Sequence, residues 1–207
     1  MARLIEQPPL FYRLLFPEAI WRVRRNRRKV VYLTFDDGPI PEVTPWVLDL
    51  LDTYNIKATF FMVGDNARRN PGLVEEVRRR GHSIGNHTMH HLQGFKVRSM
   101  KYMRDITEAA AYIDSNLFRP PHGLLRWEQA RAIKKHYNIV MYDLVTRDYS
   151  KRLSWEAVFG NVKKYARDGS IIVFHDSLKA EANLRKALPA SIEWLKEQGY
   201  EFLALPM

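Results

Sequence analysis

From residue 30 onward the chain alternates short apolar runs, rich in β-branched and aromatic residues, with stretches whose apolar positions recur at helical spacing. A strand followed by a helix and then another strand forms a parallel pair, because the helix carries the chain back to the end where it started. Strands are expected at 30–35 (VVYLTF), 58–63 (ATFFMV), 83–86, 117–119, 139–142, 170–174 (SIIVF) and 201–205. Helices are expected at 42–54, 71–80, 97–115, 126–136, 154–165 and 182–198. The second of these helices is well punctuated, with Asn70 as a cap, Pro71 at its first position and Gly81 just past its end. Seven such alternations predict an α/β fold, a parallel sheet with helices outside, either doubly wound or closed as a barrel.

At 207 residues, with 46% hydrophobic and 12% aromatic side chains, the chain has the material for one large core. It contains no cysteine, which excludes disulfides and thiolate metal sites. There are 33 Lys and Arg against 23 Asp and Glu, a formal charge of +10. The excess is uneven. Residues 1–29 hold eight basic and two acidic residues, most of them in the run 22–29 (RVRRNRRK). This divides the chain into a basic N-terminal arm, 1–29, and a domain, 30–207. Such a run is either a solvated lead-in or a patch drawn to an anionic surface, lipid headgroups or an acidic polymer. No stacking-aromatic motif accompanies the arginines, so nucleic acid is not expected as a partner. The segment 10–21 (LFYRLLFPEAIW) is aromatic and amphipathic but broken by Pro17, and it reads as an arm docked on the domain rather than a membrane anchor. No stretch of 18 apolar residues predicts a transmembrane helix. No short apolar run followed by small residues predicts a signal peptide, so the chain as read is cytoplasmic.

In parallel α/β folds chemistry collects at the C-terminal ends of strands. Polar residues gather there in this sequence: Asp36 and Asp37 after the first strand, His87 after the third, Arg119 at the fourth, Asp148 beyond the fifth and His175 after the sixth.

Asp36-Asp37-Gly38-Pro39 is by itself either an ordinary turn or a pair of carboxylates that point in different directions and do different work. His87 and His91, four apart, would share one face of a helical turn and could chelate one ion. Together with a carboxylate they make a three-ligand set of the kind that keeps open positions for water and a substrate oxygen. His90 would point elsewhere and is not counted as a ligand.

The order Thr-Phe-Asp-Asp-Gly-Pro, His-Thr-x-x-His, Arg-Pro-Pro-x-Gly, Asp-Tyr and Val-x-His-Asp resembles the polysaccharide deacetylase family, the NodB-homology domain or carbohydrate esterase family four. The match runs from about residue 30 to the C-terminus. The resemblance implies a distorted (β/α) barrel of about seven parallel strands. It implies a hydrolase of linear amides that removes N-acetyl groups from N-acetylglucosamine-type residues of a peptidoglycan or chitin-like polymer. It implies one divalent ion, zinc before cobalt or nickel, held by Asp37, His87 and His91. Asp36 is implied as the base acting on the attacking water, with Arg119 orienting it. His175 is implied as the acid for the leaving amine, with Asp148 keeping it charged. Pro121, His122, Gly123 and Tyr149 are implied at the substrate. Family members commonly act at the cell envelope. The chemistry is consistent with an amide, a poor acyl donor, which needs an activated nucleophile, oxyanion stabilisation and a protonated leaving amine.

The chain departs from the family pattern at several positions. Leu92 follows the histidine motif in place of Pro or Ser, His122 replaces a Tyr or Phe, Tyr149 replaces a Trp of the acetyl pocket, and Val145 stands where Asp is common. Elsewhere, His82 and His136 are expected at the surface or at helix ends. Trp46, Trp127, Trp155 and Trp194 are expected in packing, and Glu75 and Glu76 on a solvated helix face. Three other readings remain: an O-acetyl esterase acting on xylan, a catalytically silent sugar-binding protein, and a basic interaction protein that merely uses this fold, which the basic arm alone would suggest.

Overall fold

The computed structural model describes residues 6–25 and 28–206. Residues 1–5 of the arm, and Arg27 within its basic run, lie outside the described residues. The strands are β1 (Val30–Asp36), β2 (Thr59–Met62), β3 (Ser83–Asn86), β4 (Leu117–Phe118), β5 (Asn138–Ile139), β6 (Leu144–Val145), β7 (Ser170–His175) and β8 (Glu201–Phe202). The helices are α1 (Leu10–Leu15), α2 (Thr44–Thr53), α3 (Gly64–Arg69), α4 (Pro71–Arg79), α5 (Ser99–Ala110), α6 (Trp127–Ile133), α7 (Trp155–Tyr165) and α8 (Glu181–Glu197). Strand order is β5-β4-β3-β2-β1-β7-β6, all pairs parallel, with β8 beside the first residues of β1.

This order explains why the sheet curls. β5 and β6 sit at opposite edges, yet only residues 140–143 join them. A link that short spans no more than about 17 Å, so the edges are drawn together into a distorted (β/α) barrel. The expected single strand 139–142 is thus two short strands serving both edges. Asp148 accordingly lies beyond the sixth strand, not the fifth. The gap between the edges is filled by the N-terminal segment. Ile20 donates to Ile139 O and accepts from Met141 N–H, and Val23 donates to Gly169 O. Phe16 and Trp21 are buried against Phe118, Ile133 and Met141.

The period of two along β1 separates the two faces of the barrel wall. Val31, Leu33 and Phe35 pack outward in the helix layer with Leu48, Leu188 and Ile192. Val30 and Tyr32 pack inward with Phe61, Leu117, Val140 and Ile171. The inward series continues with Thr34 and then Asp36, so an apolar plug closes the barrel below and polar residues open above it. Each large apolar side chain buried in this way contributes about 1.5–3 kcal/mol.

Several local expectations need correction. Asn70 precedes α4, but its side chain donates to Asn66 O instead of capping the helix. α3 was not anticipated after β2. α5 is shorter than its apolar pattern, and a single 3-10 turn (Gly94–Lys96) precedes it. His82 is buried, and its Nδ1 accepts the Ala58 N–H at 3.1 Å. Trp127 is 61% exposed instead of packed. Glu76 is half-buried and pairs with Arg79 and Arg80. Among the described residues no helix is long and apolar enough to cross a membrane.

Candidate active site

The C-terminal mouth of the barrel holds a cavity of about 340 Å³, lined by Asp36, Asp37, His87, His91, Arg119, His122, Gly123, Tyr149 and His175 together with Tyr142 and Lys179. Asp148 and Pro121 stand behind this lining, both buried.

Arg119, next after β4, is the largest fully buried side chain among the described residues. An isolated buried cation costs several kcal/mol, so it needs partners throughout. Its Nη1 donates to Asp36 Oδ1 at 2.7 Å and to Thr34 Oγ1 at 2.7 Å, and Nη2 donates to Met141 O at 3.0 Å. Its guanidinium lies 4.0 Å from the centre of the Phe61 ring, on the apolar plug. Asp36 is thereby fixed by one oxygen, and its Oδ2 lies 3.9 Å from His87 Nε2.

His87 and His91 converge with Asp37. Their candidate donor atoms all lie within 4.8 Å of one another. His91 Nε2 is 3.2 Å and His87 Nε2 3.9 Å from Asp37 Oδ1. The convergence does not come from a helical turn. Residues 87–91 form an irregular turn with left-handed backbone at Thr88 (φ 65°) and His91 (φ 53°), and Asp37 is also left-handed (φ 83°). His87 Nδ1 lies 2.8 Å from Arg119 O, a carbonyl that can only accept, so the proton sits on Nδ1 and Nε2 keeps its lone pair. Burial holds the His87 imidazolium down to about 4, so the ring is neutral. Asp37 Oδ1 is buried and has no hydrogen-bond partner among the described residues. Burial opposes ionisation of Asp37, but the imidazoles of His91, His175 and His87 outweigh it and hold the carboxyl below its usual range. The lone pair of His87 Nε2 and the Nε2 of His91, both facing a buried carboxylate oxygen, fit a divalent ion with N/O preference. His90 points away, with its Nδ1 2.7 Å from Asp105 Oδ1.

His175 ends β7 in register with Asp36 on β1. Its Nδ1 is 2.8 Å from Asp148 Oδ1, and its backbone N–H donates to Asp148 Oδ2 at 2.8 Å. Burial alone would lower the imidazolium, but the Asp148 charge and hydrogen bond prevail and push it up to about 9. The Tyr149 ring meets His175 edge-on at 4.9 Å, and Lys179 Nζ lies 5.2 Å from the Tyr149 ring centre.

At the rim, His122 is exposed and left-handed (φ 61°), and its ring packs edge-on against His91 at 4.9 Å. Tyr12, from α1, donates its hydroxyl to Gly123 O at 2.6 Å, so the N-terminal segment reaches the same turn.

Sequence reasoning missed several groups that touch this site, Lys179 in the cavity lining among them. Tyr142 lines the cavity from the link between the two edge strands. Asp105 and Asp176 are buried carboxylates bonded to the turns that carry Asp37 and His91. Burial lifts the Asp176 carboxyl to about 8, against the hydrogen bonds from Thr44 and Gly38. Asp176 stood in view in Val-x-His-Asp, but a lone acid after a histidine carries no signal of what it bonds.

The sequence model of the polysaccharide deacetylase family matches residues 23–141. The chain belongs to the polysaccharide deacetylase family. It is 37% identical over 193 residues to a peptidoglycan-N-acetylglucosamine deacetylase of Bacillus cereus, covering 89% of this chain and 90% of that protein. It is 35% identical to the peptidoglycan-N-acetylglucosamine deacetylase PgdA of Listeria monocytogenes, covering 89% of this chain but 39% of that longer protein. Among solved structures, that of the Bc1960 peptidoglycan N-acetylglucosamine deacetylase superposes with a TM-score of 0.86 at 31% identity, covering 94% of each chain. The chain is also 31% identical over 187 residues to a Bifunctional xylanase/deacetylase of Pseudobutyrivibrio xylanivorans, covering 87% of this chain and 30% of that longer protein.

Proposed function

We propose that this protein removes N-acetyl groups from glucosamine-type residues of a cell-wall polymer, peptidoglycan before chitin-like chains, with one zinc ion held by Asp37, His87 and His91. The observation that carries this reading is the orphaned Asp37 Oδ1 facing two imidazole Nε2 atoms at the mouth of a cavity that also holds a carboxylate and a cationic histidine. Zinc suits two imidazoles and one carboxylate with open positions, and cobalt or nickel would be accepted by the same donors. When bound, the ion supplies Lewis acidity and makes water a nucleophile near neutral pH.

The chain's own residues do the rest. Asp36, anchored through Oδ1 by Arg119, takes the proton of the attacking water on its second oxygen. The backbone at His122 faces the developing oxyanion, and Tyr149 walls the acetyl group. His175, kept charged by Asp148, gives its proton to the departing amine. General acid and general base each contribute roughly 10²–10⁴-fold in rate. Residues 30–207 act as the catalytic domain, and 1–29 as a basic arm, docked on it through Ile20, Trp21 and Val23. The arm's exposed face, Leu10, Phe11, Leu14 and Leu15 on α1, beside the arginines of 22–25, makes peripheral contact with the anionic envelope. This contact should weaken with salt in vesicle sedimentation.

A second reading, action on acetylated xylan, is favoured by the similarity to the bifunctional xylanase/deacetylase. Acetate release from peptidoglycan, chito-oligomers and acetylated xylan, compared at equal acetyl concentration, separates the two. Faster release from the amide substrates is expected. Release from xylan alone would reverse the assignment.

A further inference from the structure

The two turns that supply the proposed metal ligands are built on backbone that non-glycine residues avoid. Asp37, Thr88 and His91 are all left-handed, at a cost of order 1–3 kcal/mol each, and such conformations persist only where the surroundings hold them. Asn86 Oδ1 accepts the Thr88 N–H, and two buried acidic side chains on other elements bond to the backbone of the same two turns.

Asp176 lies directly after β7 and is 1% exposed. Its Oδ1 accepts the Gly38 N–H at 3.1 Å, and its Oδ2 accepts the Thr44 hydroxyl at 2.6 Å. The oxygen of Thr44 in turn accepts the Ile40 N–H at 2.8 Å. The carboxylate therefore grips the chain on both sides of Pro39, immediately after Asp37. A Cβ at position 38 would overlap this carboxylate, so glycine is what allows the approach. Asn66 completes the clamp by donating Nδ2 to Asp37 O at 2.8 Å.

Asp105, on α5, does the same for the histidine turn. Its Oδ2 accepts the Met89 and His90 N–H groups at 2.9 and 3.0 Å, and its Oδ1 meets His90 Nδ1. Neither carboxylate forms an ion pair with a Lys or Arg among the described residues. A buried carboxyl group, in either protonation state, is costly unless hydrogen bonds satisfy its oxygens. Here most of those bonds go to the backbone of a ligand-bearing turn.

We propose that Asp176 and Asp105 are positioning residues that set the metal affinity of the site, each clamping one ligand-bearing turn through its backbone N–H groups. The proposal rests on Asp37, His87 and His91 being the metal ligands.

The test is the zinc dissociation constant of the whole protein, measured by competition with a chromophoric chelator. Asp176→Ala and Asp105→Ala should each weaken zinc by about 10–100-fold, the range for groups that orient metal ligands. Asp176→Asn keeps an oxygen for Gly38 N–H and Asp105→Asn keeps one for the two N–H groups, so both should stay within about threefold of the unsubstituted protein. Asp143→Ala is the control. Asp143 is equally buried, but it serves Arg13, Arg167 and Ser170 away from the site. It should lose stability and keep its zinc affinity. Should an alanine variant fail to fold, Thr44→Val, which frees Asp176, should still weaken zinc by several-fold. Unchanged affinity in the folded clamp variants overturns the proposal, as does an equal loss in Asp143→Ala. Absence of a zinc site from the unsubstituted protein would overturn the metal reading itself, and this inference with it.

Discussion

His175 Nδ1 and Asp148 Oδ1 lie 2.8 Å apart behind the cavity wall, and the pair keeps the histidine charged in a place where burial would otherwise neutralise it. The imidazolium midpoint is raised to about 9 from an ordinary 6.5. A raised midpoint means that charged His175 contributes its full stability below about pH 6.5 and that this contribution fades as pH rises through about 9. An NMR titration of the metal-free protein should show the His175 ring changing near pH 9. In Asp148→Asn the change should move well below that. A midpoint unmoved by the substitution would detach Asp148 from the role assigned to it.

Asp36 and Asp37 are neighbours to which the proposed function gives different tasks, and substitution should separate them. Asp36→Asn should lower turnover by roughly 10²–10⁴-fold and leave zinc content intact. His91→Ala should lose zinc and activity together. The measurement is zinc per chain after gel filtration, beside initial rates of acetate release. If Asp36→Asn emerges without zinc while Asp37→Asn retains it, the two carboxylates have been assigned in reverse.

Much of this site could be read from the sequence because its residues are tied to strand ends. An apolar run such as VVYLTF, followed by two acids, announces both a strand and what stands at its mouth. Where an element is too short to show a period, the sequence is silent. β5 and β6 are two residues each, and no hydropathy pattern divides 138–145 into strands for opposite edges. The histidine turn was expected as a helical turn because spacing by four suggests one. Its left-handed residues are Thr88 and His91, with no glycine to mark them. Asn86 Oδ1 accepts the Thr88 N–H, and Asp105, fourteen residues or more away, accepts the N–H groups of Met89 and His90 between them. Beyond α1 the N-terminal segment shows no period, because residues 16–23 fill a gap between strands whose shape is set by the rest of the barrel.

That gap makes the N-terminal segment part of the folded body. Trp21 is 8% exposed, packs with Phe118 and Met141, and donates its indole N–H to Phe16 O at 3.0 Å. Trp21→Ala should therefore cost about 3–5 kcal/mol, the usual range for a large buried aromatic. Urea denaturation monitored by far-UV circular dichroism measures it. A loss below about 1 kcal/mol, the level of ordinary surface substitutions, would mean that the segment can leave without disturbing the barrel.

His122 stands exposed at the rim, where the family offers a stacking aromatic ring, and it touches His91. An imidazole can donate or accept a hydrogen bond to a sugar hydroxyl, which a phenyl face cannot. His122→Tyr should change the ranking of chito-oligomers of different length and of peptidoglycan fragments, with zinc content unchanged. Identical kcat/KM ratios across the substrates would reduce His122 to a spacer in the turn.

The most direct measurement is acetate release from N-acetylglucosamine oligomers by the whole protein, stripped with chelator and then resupplied with zinc, alongside His91→Ala treated identically. The expected result is release by the zinc-supplied protein, none after stripping, recovery on adding zinc back, and no recovery in His91→Ala. Release that persists after stripping, or that His91→Ala supports as well as the unsubstituted protein, would contradict metal-dependent deacetylation at Asp37, His87 and His91.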